Sequence, residues 1–367
     1  MTLREQAIGD NPEFPWLDAG DIRGVQRLMQ SLGWLEDGEP LHRCAPAGDG
    51  NMNLTLRLQT DRREFVLKQA RPWVERFDHI PAPWNRAQRE IAFYRAVSQY
   101  GEVGELMPRL IASDTATRTL LLEYLEGDGD FGDLYPRGDA PPPTPSEIET
   151  AARFLAGLHD ASLGQDPLAF ADPEMRALNF AHIYEIPLAH SDTNGDEASG
   201  VDLDALEPGL ARAAAGLRRN AKYTALVKEI GSRYLEPGPC LLHGDYFPGS
   251  WLRTPKGLRV IDPEFCFYGY PEIDLGCAIA HFALAALPAE VPLAFMEHYR
   301  AAAVKIKPGD TWVGRFAGVE VMRRLIGVAQ LPIPIPQDAA ADTGFRRSLL
   351  ERARKATLEG DYRQLAG

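Results

Sequence analysis

Strict alternation over Asn53 to Gln59, with Leu54, Leu56 and Leu58 on one side and Thr55, Arg57 and Gln59 on the other, predicts a half-buried strand. Glu64 to Gln69 repeats the period across an Asp61-Arg62-Arg63 turn, so the two segments form a hairpin carrying Lys68. The period changes to that of a helix over Asp21 to Leu32, where Ile22, Val25, Leu28, Met29 and Leu32 share a face and Gly33 stops the run. A second helix fits Arg86 to Gln99, and the apolar runs Arg109 to Ala112 and Thr119 to Tyr124 add two strands. The expectation for this first part is an antiparallel sheet with one helix inserted.

A Gly-rich break, Glu126-Gly127-Asp128-Gly129, follows Leu125, and the boundary between two lobes is placed there, at 1–125 and 126–367. Beyond it, Ser146 and Glu149 match a capping box opening the helix IETAARFLAGLHDA, and Ala/Leu-rich helical patterns continue to the end. The fold class expected is α+β, bilobal, with a β-sheet N-lobe and a mainly helical C-lobe. A chain of 367 residues suits this division, since each lobe is large enough to bury its own core. Two lobes also imply a cleft.

Charge narrows the partners. Lys plus Arg number 39 against 52 Asp plus Glu, a net −13, which argues against nucleic acid or an anionic membrane. An anionic ligand must therefore meet a local cationic patch. Cys44, Cys240, Cys266 and Cys277 form no CxxC pair and read as thiols of a reducing compartment, with Cys266 a packing residue. The opening MTLREQAIGDNPEFPW lacks a signal-like apolar core, and CAIAHFALAALP is too short to span a bilayer, so a cytoplasmic protein is expected. DAPPPTP, from Asp139 to Pro145, reads as a stiff connector.

The chemistry concentrates in LLHGDYFPGSWLRTPKGLRVIDPEFCFYGYPEID, Leu241 to Asp274. An apolar run, a His-Gly-Asp turn, a loop and a LRVID strand should bring Asp245 and Asp262 side by side, with Glu264 close behind. Folding alone has no use for like charges held together, whereas a cation or a proton transfer does. Phosphoryl transfer needs a carboxylate to orient the nucleophile and hard oxygen ligands for the cation on the phosphates, and these residues offer both.

These residues resemble the protein-kinase-like small-molecule phosphotransferases, the group of the aminoglycoside phosphotransferases, choline kinases and 5-methylthioribose kinases. Their pattern is HGDxxxxN followed by DxD or DxE; here Ser250 stands at the Asn position. The methylthioribose kinases resemble this chain in having Ser there and in DPEF-x-FYG. GDGNMN, Gly48 to Asn53, resembles their nucleotide-loop motif GDGNLN, and Arg323-Arg324 in VMRRLIGVA looks like their twin-arginine motif. The chain differs from them at Tyr270 to Asp274, YPEID in place of Pro-x-Gly-Phe-Asp, and at Gln330, where a His is expected. Both differences bear on the acceptor.

The resemblance implies ATP and Mg²⁺ as cofactors and assigns the residues. Asp245 orients the acceptor hydroxyl and takes its proton. Asp262, the counterpart of the kinase DFG aspartate, ligates Mg²⁺; Glu264 supplies a second contact, and Ser250 is either a weak metal ligand or a turn residue. Lys68 would hold the α/β-phosphates with Glu90 orienting it, although a strand Lys is more often solvated. Gly48, Asp49, Gly50 and Asn51 would place backbone N–H groups over phosphates, a role that GDGN alone, a common turn, does not prove. Glu123, Tyr124 and Leu125 would form the adenine hinge.

His243 is read as orienting its loop, and Asp274 as the N-cap of a helix and a clamp on the catalytic loop. Arg323 and Arg324, in an apolar run where only one of two neighbours is expected to face the core, are either a solvated edge or bidentate donors to an oxyanion. The function expected is transfer of the γ-phosphate to a hydroxyl of a small sugar-like acceptor, 5-methylthioribose of methionine salvage first. The alternatives are an aminoglycoside, choline, an amino-alcohol or another sugar. A nucleotide-binding pseudoenzyme is opposed by the presence of Lys68, Asp245 and Asp262, and a metal hydrolase by the lack of closely spaced His ligands. A homodimer is compatible with these features.

Overall fold

The computed structural model describes residues 2–48, 52–135, 141–189, 200–333 and 344–366. It divides into two units: Met1–Gly127 with Ala169–Met175 and Asp262–Phe265, and Asp128–Leu168 with Arg176–Ile261 and Cys266–Gly367. The short stretch holding Asp262 and Glu264 thus belongs with the first unit, where the sequence reading had placed it in the C-lobe; the physical reason is the set of partners described below.

In the first unit, α1 (Leu3–Asp10) and α2 (Ile22–Ser31) precede β1 (Arg43–Pro46), β2 (Leu54–Gln59) and β3 (Glu64–Gln69). A small hairpin, β4 (Trp73–Val74) and β5 (Phe77–Pro81), leads to α3 (Arg86–Val97), α4 (Glu102–Glu105), β6 (Leu110–Asp114) and β7 (Thr119–Glu123). The main sheet runs β1-β2-β3-β7-β6, every pair antiparallel. Its period-2 alternation buries Leu56, Leu58, Phe65, Leu67 and Leu121 against Val25, Leu28 and Met29 of α2. Asp21 caps α2 by accepting the Gly24 N–H at 2.8 Å. A helix at α1 and a hairpin at β4–β5 are additions to the expected order; α1 buries none of its residues, so it carries little periodic signal. Phe14, Trp16, Trp73 and Trp84 cluster beside the hairpin, Trp16 and Trp84 stacked with centroids 5.4 Å apart.

The second unit is mostly helical. The chain runs through α5 (Pro145–Ser162), α6 (Pro173–Phe180), within which the division between units falls, α7 (Leu203–Leu206), α8 (Leu210–Arg218) and α9 (Ala221–Leu235). It continues with β8 (Cys240–Leu242), β9 (Trp251–Thr254), β10 (Gly257–Val260) and β11 (Phe267–Gly269), then α10 (Glu272–Leu284), α11 (Glu290–Ala302), α12 (Asp310–Ile326) and α13 (Phe345–Glu359). β9 and β10 form a hairpin and β8 pairs with β11, both antiparallel. The α5 capping box is formed by Thr144 and Glu147, not by Ser146 and Glu149, because Pro145 occupies the first helical position and fixes the start two residues earlier.

α12 packs between α10 and α13. The contact is close because of two glycines: a Cβ on Gly276 would lie 2.9 Å from the Ala317 nitrogen, and one on Gly318 would lie 2.6 Å from the Ala353 oxygen. Most of the circumference of α12 is therefore buried, Glu320 and Arg324 included. No helix among the described residues is long and apolar enough to cross a membrane.

Candidate active site

Lys68 lies on the central strand β3, on the face opposite the α2 core, and is 5% exposed. It is not the solvated strand lysine that propensity favours. Its Nζ donates to Glu90 Oε1 of α3 at 2.6 Å and to Asp262 Oδ1. Burial opposes the charge on Lys68, but Asp262, Glu90 and Glu264 outweigh it and hold the ammonium well above its ordinary pKa.

Asp262 has φ 67°, in the left-handed region that a non-glycine residue rarely occupies. The turn aims its carboxylate at Lys68 while leaving the side chain 39% exposed. Glu264, by contrast, is buried, its Oε2 accepting from Asn53 Nδ2 at 2.7 Å with Arg86 Nε at 3.7 Å. Arg86 is itself fixed by Asn53 Oδ1 and by the carbonyls of Arg71, Pro83 and Met52. Asn53 and Arg86 were not singled out from sequence; they explain why this short stretch packs with the first unit.

Around Lys68 and Arg86 stand three carboxylates, Glu90, Asp262 and Glu264. Burial, with Asp262 adding to it, pushes Glu264 well above the usual carboxylate range, and burial also raises Glu90. A cluster with more carboxylates than cations, oxygen donors throughout and one exposed carboxylate fits a divalent cation of the Mg²⁺ kind.

Of the nucleotide loop, Gly48 has φ 71°, which glycine adopts without strain, while Asp49, Gly50 and Asn51 lie outside the described residues. In the hinge segment Glu123 pairs with Arg109 at 3.2 Å, the Arg57 guanidinium stacks 4.0 Å over Tyr124, and Leu125 is half-buried.

The second unit assembles a different group. Asp274 accepts the backbone N–H groups of His243 at 2.8 Å and Gly244 at 2.9 Å, and His159 Nε2 lies 3.3 Å away. It clamps the loop as expected, but from within the first turn of α10, the N-cap being Pro271. His243 Nε2 sits 2.9 Å from the Ile261 carbonyl, which ties the loop to the end of β10. Ser250, 2% exposed, donates to the Asp245 carbonyl at 3.0 Å, the bond of a turn residue.

Asp245 itself is 22% exposed, with Arg323 Nη2 3.8 Å and Arg324 Nη2 3.5 Å from its Oδ1. Burial raises its carboxyl above the ordinary value, and the two guanidiniums oppose that rise. The arginines are not a solvated edge: their side chains are 11% and 9% exposed. Both are held by Glu320, one turn earlier on α12, through Arg323 Nε to Oε2 at 2.5 Å and Arg324 Nε to Oε1 at 2.9 Å. Burial disfavours the Glu320 charge, yet Arg323 and Arg324 keep its carboxyl well below the usual range.

Glu320 continues to His281 Nε2 at 3.1 Å, and His281 Nδ1 meets the Tyr135 hydroxyl. An ionised Glu320 only accepts, so Nε2–H donates to it and Nδ1 accepts from Tyr135. Burial, only partly offset by Glu320, lowers His281 to about 4. Cys277, His281 and Glu320 offer ligand atoms within 4.8 Å of one another, but the oxygens of Glu320 and the nitrogens of His281 are already hydrogen-bonded, so the group reads as a polar network. A π-helical turn, Ala181–Glu185, also packs on α12; such turns recur at functional sites.

The model of the phosphotransferase enzyme family matches residues 43–309. Methylthioribose kinase of Exiguobacterium sibiricum is 26% identical over 338 residues, covering 87% of this chain and 81% of its own. Among solved structures, a microcompartment-associated aminopropanol kinase superposes with a TM-score of 0.54 at 18% identity, over 91% of this chain and 98% of its own. Amicoumacin kinase, solved in complex with AMP-PNP, Ca²⁺ and Ami, gives 0.52 at 11% identity, over 91% and 93%. The likeness to these structures is one of fold, protein-kinase-like and α+β. The family match takes in Lys68, Glu90, Asp245 and Asp262 and spans most of both units, and on that ground the chain belongs to the phosphotransferase enzyme family.

Proposed function

We propose that the chain is an ATP- and Mg²⁺-dependent kinase that transfers the γ-phosphoryl group to a hydroxyl of a small sugar-like acceptor, with 5-methylthioribose, an intermediate of methionine salvage, as the first choice. The observation that carries this reading is the Asp245 carboxylate accompanied by two buried guanidiniums. A carboxylate there accepts the hydroxyl proton, and planar forks beside it receive oxyanions bidentately. A polycationic acceptor such as an aminoglycoside would be repelled by the same pair, which favours a neutral acceptor. The named relatives support methylthioribose among neutral acceptors.

In this proposal Lys68, oriented by Glu90, holds the α/β-phosphates, Asp262 ligates Mg²⁺ with Glu264 as the supporting carboxylate, and Ser250 adds at most a weak contact. Backbone groups of Gly48 to Asn51 cover the phosphates, and those of Glu123 to Leu125 read the adenine. The small acceptor is the only partner the activity requires, and a cytoplasmic location fits it. The test is ADP release with MgATP across a panel of methylthioribose, choline, amino-alcohols, sugars and aminoglycosides. Acceptor-dependent release with methylthioribose at a kcat/KM well above the others supports the reading; release only with a cationic acceptor overturns it.

A further inference from the structure

We infer that Glu320 is a positioning residue for an oxyanion subsite, gripping Arg323 and Arg324 by their Nε atoms so that their Nη ends are presented beside Asp245. The geometry is specific. One carboxylate takes one Nε from each arginine, at 2.5 and 2.9 Å, and both Nη2 atoms stand 3.5 to 3.8 Å from Asp245 Oδ1. Among the described residues, the Nη groups of the two arginines donate no hydrogen bond. A guanidinium has five N–H donors, so anchoring through Nε leaves the fork free for oxygens of a ligand.

The anchor is itself anchored. Glu320 is 6% exposed, and its Oε1 also accepts from His281, whose ring is held on its other side by the Tyr135 hydroxyl. Tyr135 and His281 come from separate segments, and neither is exposed by more than 1%. Phe247 covers the assembly, its ring 5.4 Å from the Arg324 guanidinium carbon and 5.0 Å from the His281 ring. Without this chain two adjacent arginine side chains on one helix would diverge, since consecutive helical positions point about 100° apart. With it, both converge on one point.

The inference rests on the kinase reading for the identity of the oxyanion, a phosphoryl group, but not for the arrangement itself. Charge alone and positioning predict opposite results, which makes the test sharp. Glu320→Gln removes a negative charge beside two cations; if Glu320 were only a counter-charge, an anion would bind more tightly to the variant. Positioning predicts weaker binding, because the forks lose their common anchor.

The experiment is calorimetric titration of inorganic phosphate into the full-length protein, wild type and variants, with steady-state kinetics on the same preparations. Wild type is expected to bind phosphate. Glu320→Gln is expected to weaken it about 10-fold and to lower kcat about 10-fold with the KM for ATP unchanged. Glu320→Asp keeps the charge but retracts it by one methylene, and should weaken phosphate by a similar factor. Tyr135→Phe, which alters no charge, should weaken it about 2- to 3-fold by loosening the His281 ring.

Phosphate binding to Glu320→Gln as tight as or tighter than wild type overturns the inference, as does a wild type that binds no phosphate. Should Glu320→Gln not fold, Glu320→Asp decides in its place, wild-type affinity in that variant being the overturning result. If the phosphate pattern holds while no hydroxyl acceptor supports ADP release, the kinase reading fails and the positioning stands. If acceptor turnover is normal and the variants match wild type in both measurements, the positioning fails and the kinase reading stands.

Discussion

Two buried charged clusters, one in each unit, are built on opposite principles. The cluster around Lys68 has two cations, Lys68 and Arg86, among three carboxylates, and burial drives two of those carboxylates upward in pKa. The cluster around Asp245 has two cations and two carboxylates, and Glu320 within it lies well below the usual carboxylate range. The first has more carboxylates than cations, which suits the metal ion proposed above; the second is balanced, with donors to spare. Similar residue types thus serve contrary ends, because what counts is the local balance of charge and which donor atoms are left over.

The sharpest way to break the comparison is Asp245→Asn, which keeps the shape and removes the charge. It should lower kcat by about 10²–10⁴-fold, as loss of general-base assistance does, while nucleotide affinity measured by calorimetry is unchanged. A variant keeping more than about half its kcat would take Asp245 out of the proton transfer.

Next in size is the cation deficit of the first cluster. Asp262→Ala should abolish the tightening of ATP binding by Mg²⁺, a loss of at least the roughly 10–100-fold that even an outer-shell ligand contact is worth. Glu264→Gln should weaken that tightening less, since Glu264 is already engaged by Asn53 and Arg86. Titration of ATP with and without Mg²⁺ checks both, and an unchanged Mg²⁺ effect in the Asp262 variant would move the metal elsewhere.

The balanced cluster should also announce itself through pH. His281 is lowered by burial from its ordinary 6.5 to about 4, so the unfolded chain takes up a proton that the folded one refuses as pH falls through this window. Stability contributed by the neutral ring is therefore complete above 6.5 and is lost progressively towards 4. Between pH 7 and pH 5 wild type should lose about 2 kcal/mol more than His281→Asn. Urea unfolding of both proteins at the two pH values measures this, and parallel losses would show that the ring titrates normally.

The smallest effect on turnover among these substitutions is that of Arg323→Lys and Arg324→Lys. Each keeps its charge but gives up the fork, and at least one should lower kcat with methylthioribose about 10-fold while ATP affinity is unchanged. Steady-state kinetics on both variants decides between this and a role confined to KM. Two variants indistinguishable from wild type would reduce the pair to structural cations.

The contrast between the clusters was only half legible in the chain. Alternation located β2 and β3, and the 3.6-residue period located α2, because both elements bury one face on a common core. Asp245, Asp262 and Lys68 stood out through motif and spacing. Glu320 could have been found as well, since it precedes Arg323 and Arg324 by one helical turn, the spacing at which side chains on a helix meet. His281 and Tyr135 could not, because their contacts join residues 39 and 146 positions apart, and no local pattern reports such a meeting. Asn53 and Arg86 escaped for the same reason. The capping box was misplaced because TPSEIE offers more than one start, and the Pro145 ring, not the side-chain pattern, selects among them.

The bond between Asn53 and Glu264 has a consequence for anyone re-engineering this chain. Asn53 closes the GDGNMN segment and Glu264 ends the DPE triplet, yet 211 positions separate them in sequence. A loop graft that replaced Asn53 would remove the amide that joins Arg86 to Glu264 and leave both buried charged groups short of a hydrogen-bond partner. These distant segments are a single exchangeable module, and chimeras or permuted forms should be cut so that both ends travel together.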